Sequence, residues 1–452
     1  MSITAAKPSS AVIVGLGRTG LSCARYLHAL GWKIAVTDTR AQPPELARLR
    51  ELDPGIRVSL GGLDIGLLDD AVCIVASPGV SLSQPLFAEA RRRGLEIVGD
   101  IELFARAVNA PVVGITGTNG KSTVTTLVGR MAARAGVKVR VGGNLGEPAL
   151  DLLAVARADA EPTQLYVLEL SSFQLEATSS LDLKTATVLN VSPDHLDRYA
   201  SVEDYAAAKA RIFARCDTAV INLDDPLVVA MPRAGQRTLG FSLRASLGAD
   251  YAVANRDGQW WLTHAGAPLM PVSGMKIKGL HNAANALAAL ALGEALGLPM
   301  PVMLAELAEF PGLPHRSQWV AAVNGVTYIN DSKGTNVGAT IAAVSGMAGP
   351  LIMIAGGDGK NQDFAPLAEA FRGKVRHTVL IGRDAQAIER ALRGIGTTET
   401  CRSLEEAVQA AARAAQPGDT VLLSPACASL DMFRDYTHRG AVFAQAVKEL
   451  AA

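Results

Sequence analysis

The stretch VVGITGTNGKSTVTTLVGRMAARAG, residues 112–136, decides the fold. It opens as a short, mostly β-branched run, passes through a Gly/Thr/Asn turn, and at Lys121-Ser122-Thr123 enters a segment with helical periodicity. A strand, a glycine-rich turn and a helix in that order form a phosphate-binding loop. Free N–H groups and the dipole at the helix start favour anions, a lysine reaches the terminal phosphates, and a hydroxyl faces Mg²⁺. Gly117, Thr118, Asn119, Gly120, Lys121, Ser122 and Thr123 are therefore the candidate nucleotide-binding residues. One position departs from G-x-x-x-x-G-K-[ST], which expects glycine where this chain has Ile115. The alternative reading is a plain helix cap rich in Gly and Thr.

About a hundred residues upstream a second loop, Gly15-x-Gly17-x-x-Gly20 within AVIVGLGRTGLSCARYL, also joins a strand to a helix, and Asp38 ends the next strand. That is the context of a dinucleotide fingerprint, although the same glycines are needed wherever a tight strand-to-helix turn packs closely. Short β-branched runs (AVIVG, KIAVTD, AVCIVAS, LEIVGD) alternate with helical stretches up to residue 99, which predicts a parallel sheet covered by helices. A second series (APVVGITG, QLYVLELSS, TATVLNVSP, DTAVINLDD) closes with the helix HNAANALAALALGEAL. Residues 239–271 are more β-like, carry the hairpin signal RDG, and are expected to extend the middle sheet. FPGLPHRSQ, residues 310–318, reads as a linker, after which VTYINDS, LIMIAGG, HTVLIG and DTVLLSPA each precede a helix. The expectation is an α/β protein of three domains: 1–99, Rossmann-like; 100–312, a central P-loop ATPase-type α/β domain; and 313–452, again Rossmann-like.

Strand ends in such sheets collect ligands. The middle series delivers Glu169, and then Asp194, His195 and Asp197, able to bind a metal, carry protons or serve structure alone. In SVEDYAAAKARIFARC, Lys209 shares a face with Tyr205, Ile212 and Phe213. It either snorkels to water or has a depressed pKa. A neutral amine there could take up CO₂ as a carbamate, an oxygen ligand suited to Mg²⁺. The third domain's strand ends carry Asp331, Ser332, Lys333, Thr335 and Asn336, then Asp358 and Lys360, then Ser424, Ser429 and Tyr436. These are ordinary loop chemistry or a pocket for a small dicarboxylate or amino acid.

The bulk composition narrows the class. At 452 residues the chain has room for about three domains. Basic and acidic residues balance at 43 each, so no nucleic-acid-binding or membrane-binding surface is implied. Cys23, Cys73, Cys216, Cys401 and Cys427 are scattered without metal-ligand spacing, and MSITAAKPSS lacks the apolar core of a secretion signal; both suit a reduced, cytoplasmic protein.

The motifs GTNGKST, LELSSFQL, NVSPDHLDRY, AAKARIF, HNAANALAA, GLPHR, NDSKGTN, GGDGK and LLSPACASLDMFRDY together resemble those of the Mur ligases of peptidoglycan synthesis, in order through all three domains. The resemblance implies an ADP-forming amide ligase in which ATP phosphorylates the carboxylate of UDP-N-acetylmuramoyl-L-alanine and the amine of D-glutamate attacks the acyl phosphate. It implies that Lys121, His195 and carbamylated Lys209 are catalytic, with Ser122 or Thr123, Glu169, His195 and Lys209 around two Mg²⁺ ions. ATP would also meet Asn282, Asn285, Arg316 and Asp331. The first loop would then grip UDP rather than NAD, with Arg18, Thr19, Asp38, Thr39, Arg40, Ser77 and Asn144 around it; Arg18 stands where the family often has an apolar residue. Thr335, Lys360, Ser429, Leu430 and Tyr436 match the D-glutamate pocket, Tyr436 replacing a frequent Phe. The resemblance further implies small-molecule substrates, and since nothing in the sequence suggests an obligate partner, a monomer is expected. The rivals are a related ligase that uses L-glutamate or another amino acid, a folylpolyglutamate synthase, an NAD-dependent oxidoreductase and a non-catalytic ATP-driven scaffold.

Overall fold

A computed structural model describes residues 9–277, 279–347 and 349–450. Three sheets follow one another along the chain. In the first, strands Arg57–Leu60, Lys33–Asp38, Ser10–Val14, Cys73–Ala76 and Glu96–Val98 lie side by side in that order, all parallel. The chain winds one way from Ser10–Val14 and then returns to its other side, so a crevice opens at their carboxyl ends where the winding reverses.

The second sheet has nine strands, in the order Ala267–Pro271, Gln259–His264, Tyr251–Arg256, Arg237–Ser242, Cys216–Asn222, Leu183–Val188, Val112–Thr116, Leu165–Glu169 and Val139–Gly143. Gln259–His264 pairs antiparallel with both its neighbours, and every other pairing is parallel. The RDG signal forms a two-residue hairpin: Arg256 pairs with Gln259, and Asp257 and Gly258 both take positive φ, matching the right-handed twist of the strands. Val112–Thr116 is buried along its whole length, with Ile115 opposite Glu169 on one side and Thr187 on the other. Ile115 therefore belongs to the strand and its side chain to the core, which explains why no glycine is needed there. Helix Leu280–Ala295 covers this sheet, and its residues 286–292 are completely buried. A helix apolar on all sides is what enclosure between a sheet and neighbouring helices requires, here Lys121–Arg134 and Met300–Glu309.

The third sheet runs Gln318–Val323, Val326–Asn330, Thr420–Leu423, Leu351–Gly356, Val375–Ile381 and Thr397–Thr400, parallel except for its first pair. Thr420–Leu423 lies between Val326–Asn330 and Leu351–Gly356, so the loops NDSKGTN, SPACAS and GGDGK converge at one edge. The sequence did not announce the edge strands Gln318–Val323 and Thr397–Thr400, whose residues are mostly exposed and lack clean alternation.

Candidate active site

The phosphate loop is shaped by glycine where the backbone demands it. Gly117 and Gly120 have φ of 146° and 85°, and a Cβ at 120 would lie 2.4 Å from the Asn285 side chain. Asn190, at the end of the adjacent strand, braces the loop: its Oδ1 accepts the Asn119 N–H at 2.8 Å and its carbonyl accepts that of Thr118. Lys121 Nζ donates to the carbonyls of Gly117 and Thr118, each at 2.8 Å. Burial lowers its pKa, and the nearby Arg316 charge lowers it further.

Four charged or polar groups meet at the helix start. Ser122 donates to Glu169 Oε2 at 2.5 Å, Asn144 Nδ2 donates to Glu169 Oε1 at 2.7 Å, and Arg316, from the connection to the third domain, donates to Ser122 Oγ at 2.6 Å. Thr123 instead faces the neighbouring cavity that also holds Asn282 and Asn285. Lys209 does not snorkel: it is 1% exposed, lies over the Tyr205 ring and donates to the Gly117 carbonyl at 3.0 Å. Burial, and then the charge of Lys121, drive its pKa well below that of a free lysine. His195 sits at a φ of 55°, its ring against Phe173 and Tyr205, and burial lowers its pKa against the opposing charge of Asp194, which favours the neutral imidazole. Oxygen donors from Ser122 and Glu169, with a neutral imidazole and an amine nearby, fit a hard divalent cation at a phosphate loop.

The third domain closes over this floor. Asn336 Nδ2 donates to Asp194 Oδ2 at 3.3 Å, and Lys360 Nζ lies 3.7 Å from Asp194 Oδ1. A cavity of about 310 Å³ results, walled by Lys121, Glu169, His195 and Lys209 below and by Thr335 and Lys360 above. Beside it a second cavity, about 330 Å³, holds Asn119, Asn282, Asn285, Arg316 and Asp331. Burial raises the pKa of Asp331 to about 6 against hydrogen bonds from Ser424 and the Ser317 N–H.

A third cavity, about 540 Å³, opens at the first sheet's crevice and contains Arg18, Thr19, Asp38, Thr39, Arg40 and Ser77, with Asn144 on the opposite wall. The glycines divide the work: Gly15 takes a φ of 95°, a Cβ at Gly20 would fall 2.0 Å from the Gly15 carbonyl, and Gly17 faces open space. The middle glycine thus leaves room for a ligand to reach the backbone. Asp38 is fully engaged by the Leu16 and Arg40 N–H groups and the Arg40 guanidinium; burial alone would raise its pKa, but these donors hold it at about 2. A carboxylate so occupied is a poor acceptor for a ribose hydroxyl, which disfavours the dinucleotide reading.

Asn144 lines both the 540 Å³ and the 310 Å³ cavity, joining the first loop's site to the phosphate loop's. Ser429, Leu430 and Tyr436 do not line the 310 Å³ cavity: Ser429 is buried, Leu430 is 73% exposed, and the Tyr436 ring lies 4.1 Å from the Nζ of Lys333, which does line it. The sequence missed Asn190, Phe173 and Gln174 as site residues. Signals existed: Ser-x-x-Gln is a capping box, which Ser171 and Gln174 form, Phe173 and Gln174 lie in the motif LELSSFQL, and Asn190 opens the motif NVSPDHLDRY.

Comparison with known proteins follows the same division. Residues 9–99 match the family description "Mur ligase MurD-like, N-terminal domain", 115–293 match "Mur ligase middle domain" and 315–427 match "Mur ligase, glutamate ligase domain". A protein of Methylococcus capsulatus named "UDP-N-acetylmuramoylalanine--D-glutamate ligase" is 51% identical over 443 residues, covering 98% of this chain and 95% of its own. One of the same name from Nitrosococcus oceani is 51% identical, covering 98% and 97%. Among solved structures, a pseudomurein peptide ligase type C from Methanothermus fervidus shares the fold at a TM-score of 0.61 and 18% identity, over 98% of this chain and 100% of its own.

Proposed function

The chain belongs to the Mur ligase family, and from that premise we propose how its residues divide the work. It is an ATP-dependent ligase that joins D-glutamate to UDP-N-acetylmuramoyl-L-alanine in peptidoglycan synthesis. A carboxylate has no good leaving group and, as an anion, repels a nucleophile. Transfer of the γ-phosphoryl group to the L-alanyl carboxylate gives an acyl phosphate that remedies both, and the amine of D-glutamate then displaces phosphate. Positioning and charge neutralisation supply most of the catalysis.

The single observation that carries this reading is the continuous path from the first cavity to the phosphate loop through Asn144 and Glu169. The uridine diphosphate end lies in the 540 Å³ cavity, held by Thr19, Thr39, Ser77 and the backbone beside Gly17. That orientation delivers the L-alanyl carboxylate past Asn144 to the phosphate loop. ATP occupies the 330 Å³ cavity with its base near Asn282 and Asn285, its ribose near Asp331, and its γ-phosphate at Lys121 and Arg316. Ser122 and Glu169 would hold one Mg²⁺, and His195 with Lys209 a second; when bound, these ions neutralise the repulsion between triphosphate and carboxylate. The buried, neutral amine of Lys209 attacks the carbon of CO₂, an N–C bond forms, one proton leaves to solvent, and the resulting carbamate supplies the oxygen donor that an amine lacks. Thr335 and Lys360 face the incoming D-glutamate, Lys360 pairing with a carboxylate.

The test is phosphate release from Mg-ATP with UDP-N-acetylmuramoyl-L-alanine and D-glutamate, L-glutamate or no amino acid. Release that requires both the nucleotide sugar and D-glutamate is expected. Release without amino-acid dependence would overturn the reading.

A further inference from the structure

We propose that the Arg18 guanidinium is an exchangeable phosphate ligand, paired with Glu147 across the mouth of the 540 Å³ cavity and transferring to the diphosphate of the nucleotide sugar when it enters. The proposal rests on the reading that this cavity receives that ligand. Arg18 is the first residue of helix Arg18–Ala29 in the first domain. Glu147 lies on the middle-domain loop whose Asn144, Gly146 and Pro148 form the opposite wall. Their contact is 3.6 Å, with side chains 63% and 64% exposed. A pair this long and this wet changes an equilibrium by only a few-fold.

The charges on the cavity wall decide what Arg18 is for. They are Arg18, Asp38 and Arg40. Asp38 takes both Nε and a terminal nitrogen of Arg40, at 2.9 and 2.7 Å, so that pair is closed on itself. Arg18 is left as the cation facing a ligand that carries two phosphates. Its planar fork suits phosphate oxygens, and it stands at a helix start beside Gly17, where the space is open. Glu147 and the diphosphate therefore compete for one guanidinium, and the phosphates hold the stronger position because the helix start also attracts them.

Exchange and simple tethering predict opposite results for Glu147. If Glu147 competes, Glu147→Gln frees Arg18 and tightens binding; if the pair only ties the two domains together, both single variants weaken binding alike. Dissociation constants for UDP and for UDP-N-acetylmuramoyl-L-alanine, measured by calorimetry at two salt concentrations, separate the cases. Arg18→Met should weaken binding about tenfold and flatten its salt dependence. Glu147→Gln should tighten it about two- to threefold, and the double variant should match Arg18→Met. Weaker or unchanged binding in Glu147→Gln overturns the exchange. Thr39→Ala and Asn144→Ala serve as controls on the premise. If they weaken UDP binding while Arg18→Met does not, only the exchange fails; if none of these variants changes UDP binding, the cavity is not the nucleotide site and both readings fail.

Discussion

Lys121 and Lys209 donate to the same carbonyl oxygen, that of Gly117, at 2.8 and 3.0 Å. Burial first, and then repulsion from the Lys121 ammonium that shares its acceptor, push the Lys209 pKa well below that of a free lysine. This has a consequence for stability. An unfolded lysine holds its proton up to about pH 10.4, whereas the folded Lys209 does not, so across this interval the unfolded state binds more protons and the native state gains stability as pH rises. Lys209→Met removes that linkage. In CO₂-depleted buffer the variant should melt at a higher temperature than the parent at pH 7, and the difference should shrink towards pH 10. A constant difference across pH would mean that Lys209 is charged in the folded protein.

The same substitution class separates stability from function. Lys209→Ala is expected to abolish ligation by removing the carbamate's anchor, and a short carboxylate such as acetate, small enough for the vacated space, should restore part of it. Phosphate release assays with and without added acetate make the comparison. Full activity in the unrescued variant would leave the carbamate without a role.

Within the first loop, the glycines at 17 and 20 should behave differently. A methyl group at 20 meets the Gly15 carbonyl at 2.0 Å, so Gly20→Ala forces the helix away from the strand and costs about 1–3 kcal/mol of stability. A methyl group at 17 meets no protein atom within 4 Å, at a φ of −96° that any residue adopts. Gly17→Ala should keep the parent's thermal stability to within about 1 kcal/mol while raising KM for the nucleotide sugar and leaving KM for ATP unchanged. Equal effects on both KM values would place the diphosphate elsewhere.

The pattern of what was legible follows from range. Strand Val112–Thr116 and the Lys121 turn are written locally, as are the glycine at 20, whose methyl would meet the Gly15 carbonyl, and the positive φ of Gly15. Lys209 could be placed on an apolar stripe by spacing, yet its burial depends on what packs over it, Tyr205 and the loop 92 residues away. The brace from Asn190 to Asn119 spans 71 residues and leaves no local trace. Neither does the Asn144–Glu169 link that joins the two cavities, since it exists only once Val139–Gly143 and Leu165–Glu169 pair in register.

Asp331 should expose the cost of keeping a charge in the ATP cavity. Burial raises its pKa from 3.8 to about 6, the Ser424 hydroxyl and Ser317 N–H opposing only in part. Between these two values the folded state holds a proton that the unfolded state has lost, so stability is highest below pH 4 for this group, falls as pH rises to about 6, and is level beyond. The full difference is about two pH units, on the order of 3 kcal/mol. Asp331→Asn keeps an acceptor for Ser317 and offers a donor to Ser424. The variant should therefore be more stable at pH 7 by up to that amount and should converge with the parent near pH 4, as read from urea unfolding at each pH. Its affinity for ATP should fall, because the carboxylate faces the cavity assigned to the nucleotide. A site that trades stability for a charge aimed at its ligand behaves this way, whereas a purely structural aspartate would lose stability on neutralisation and leave ATP binding unmoved.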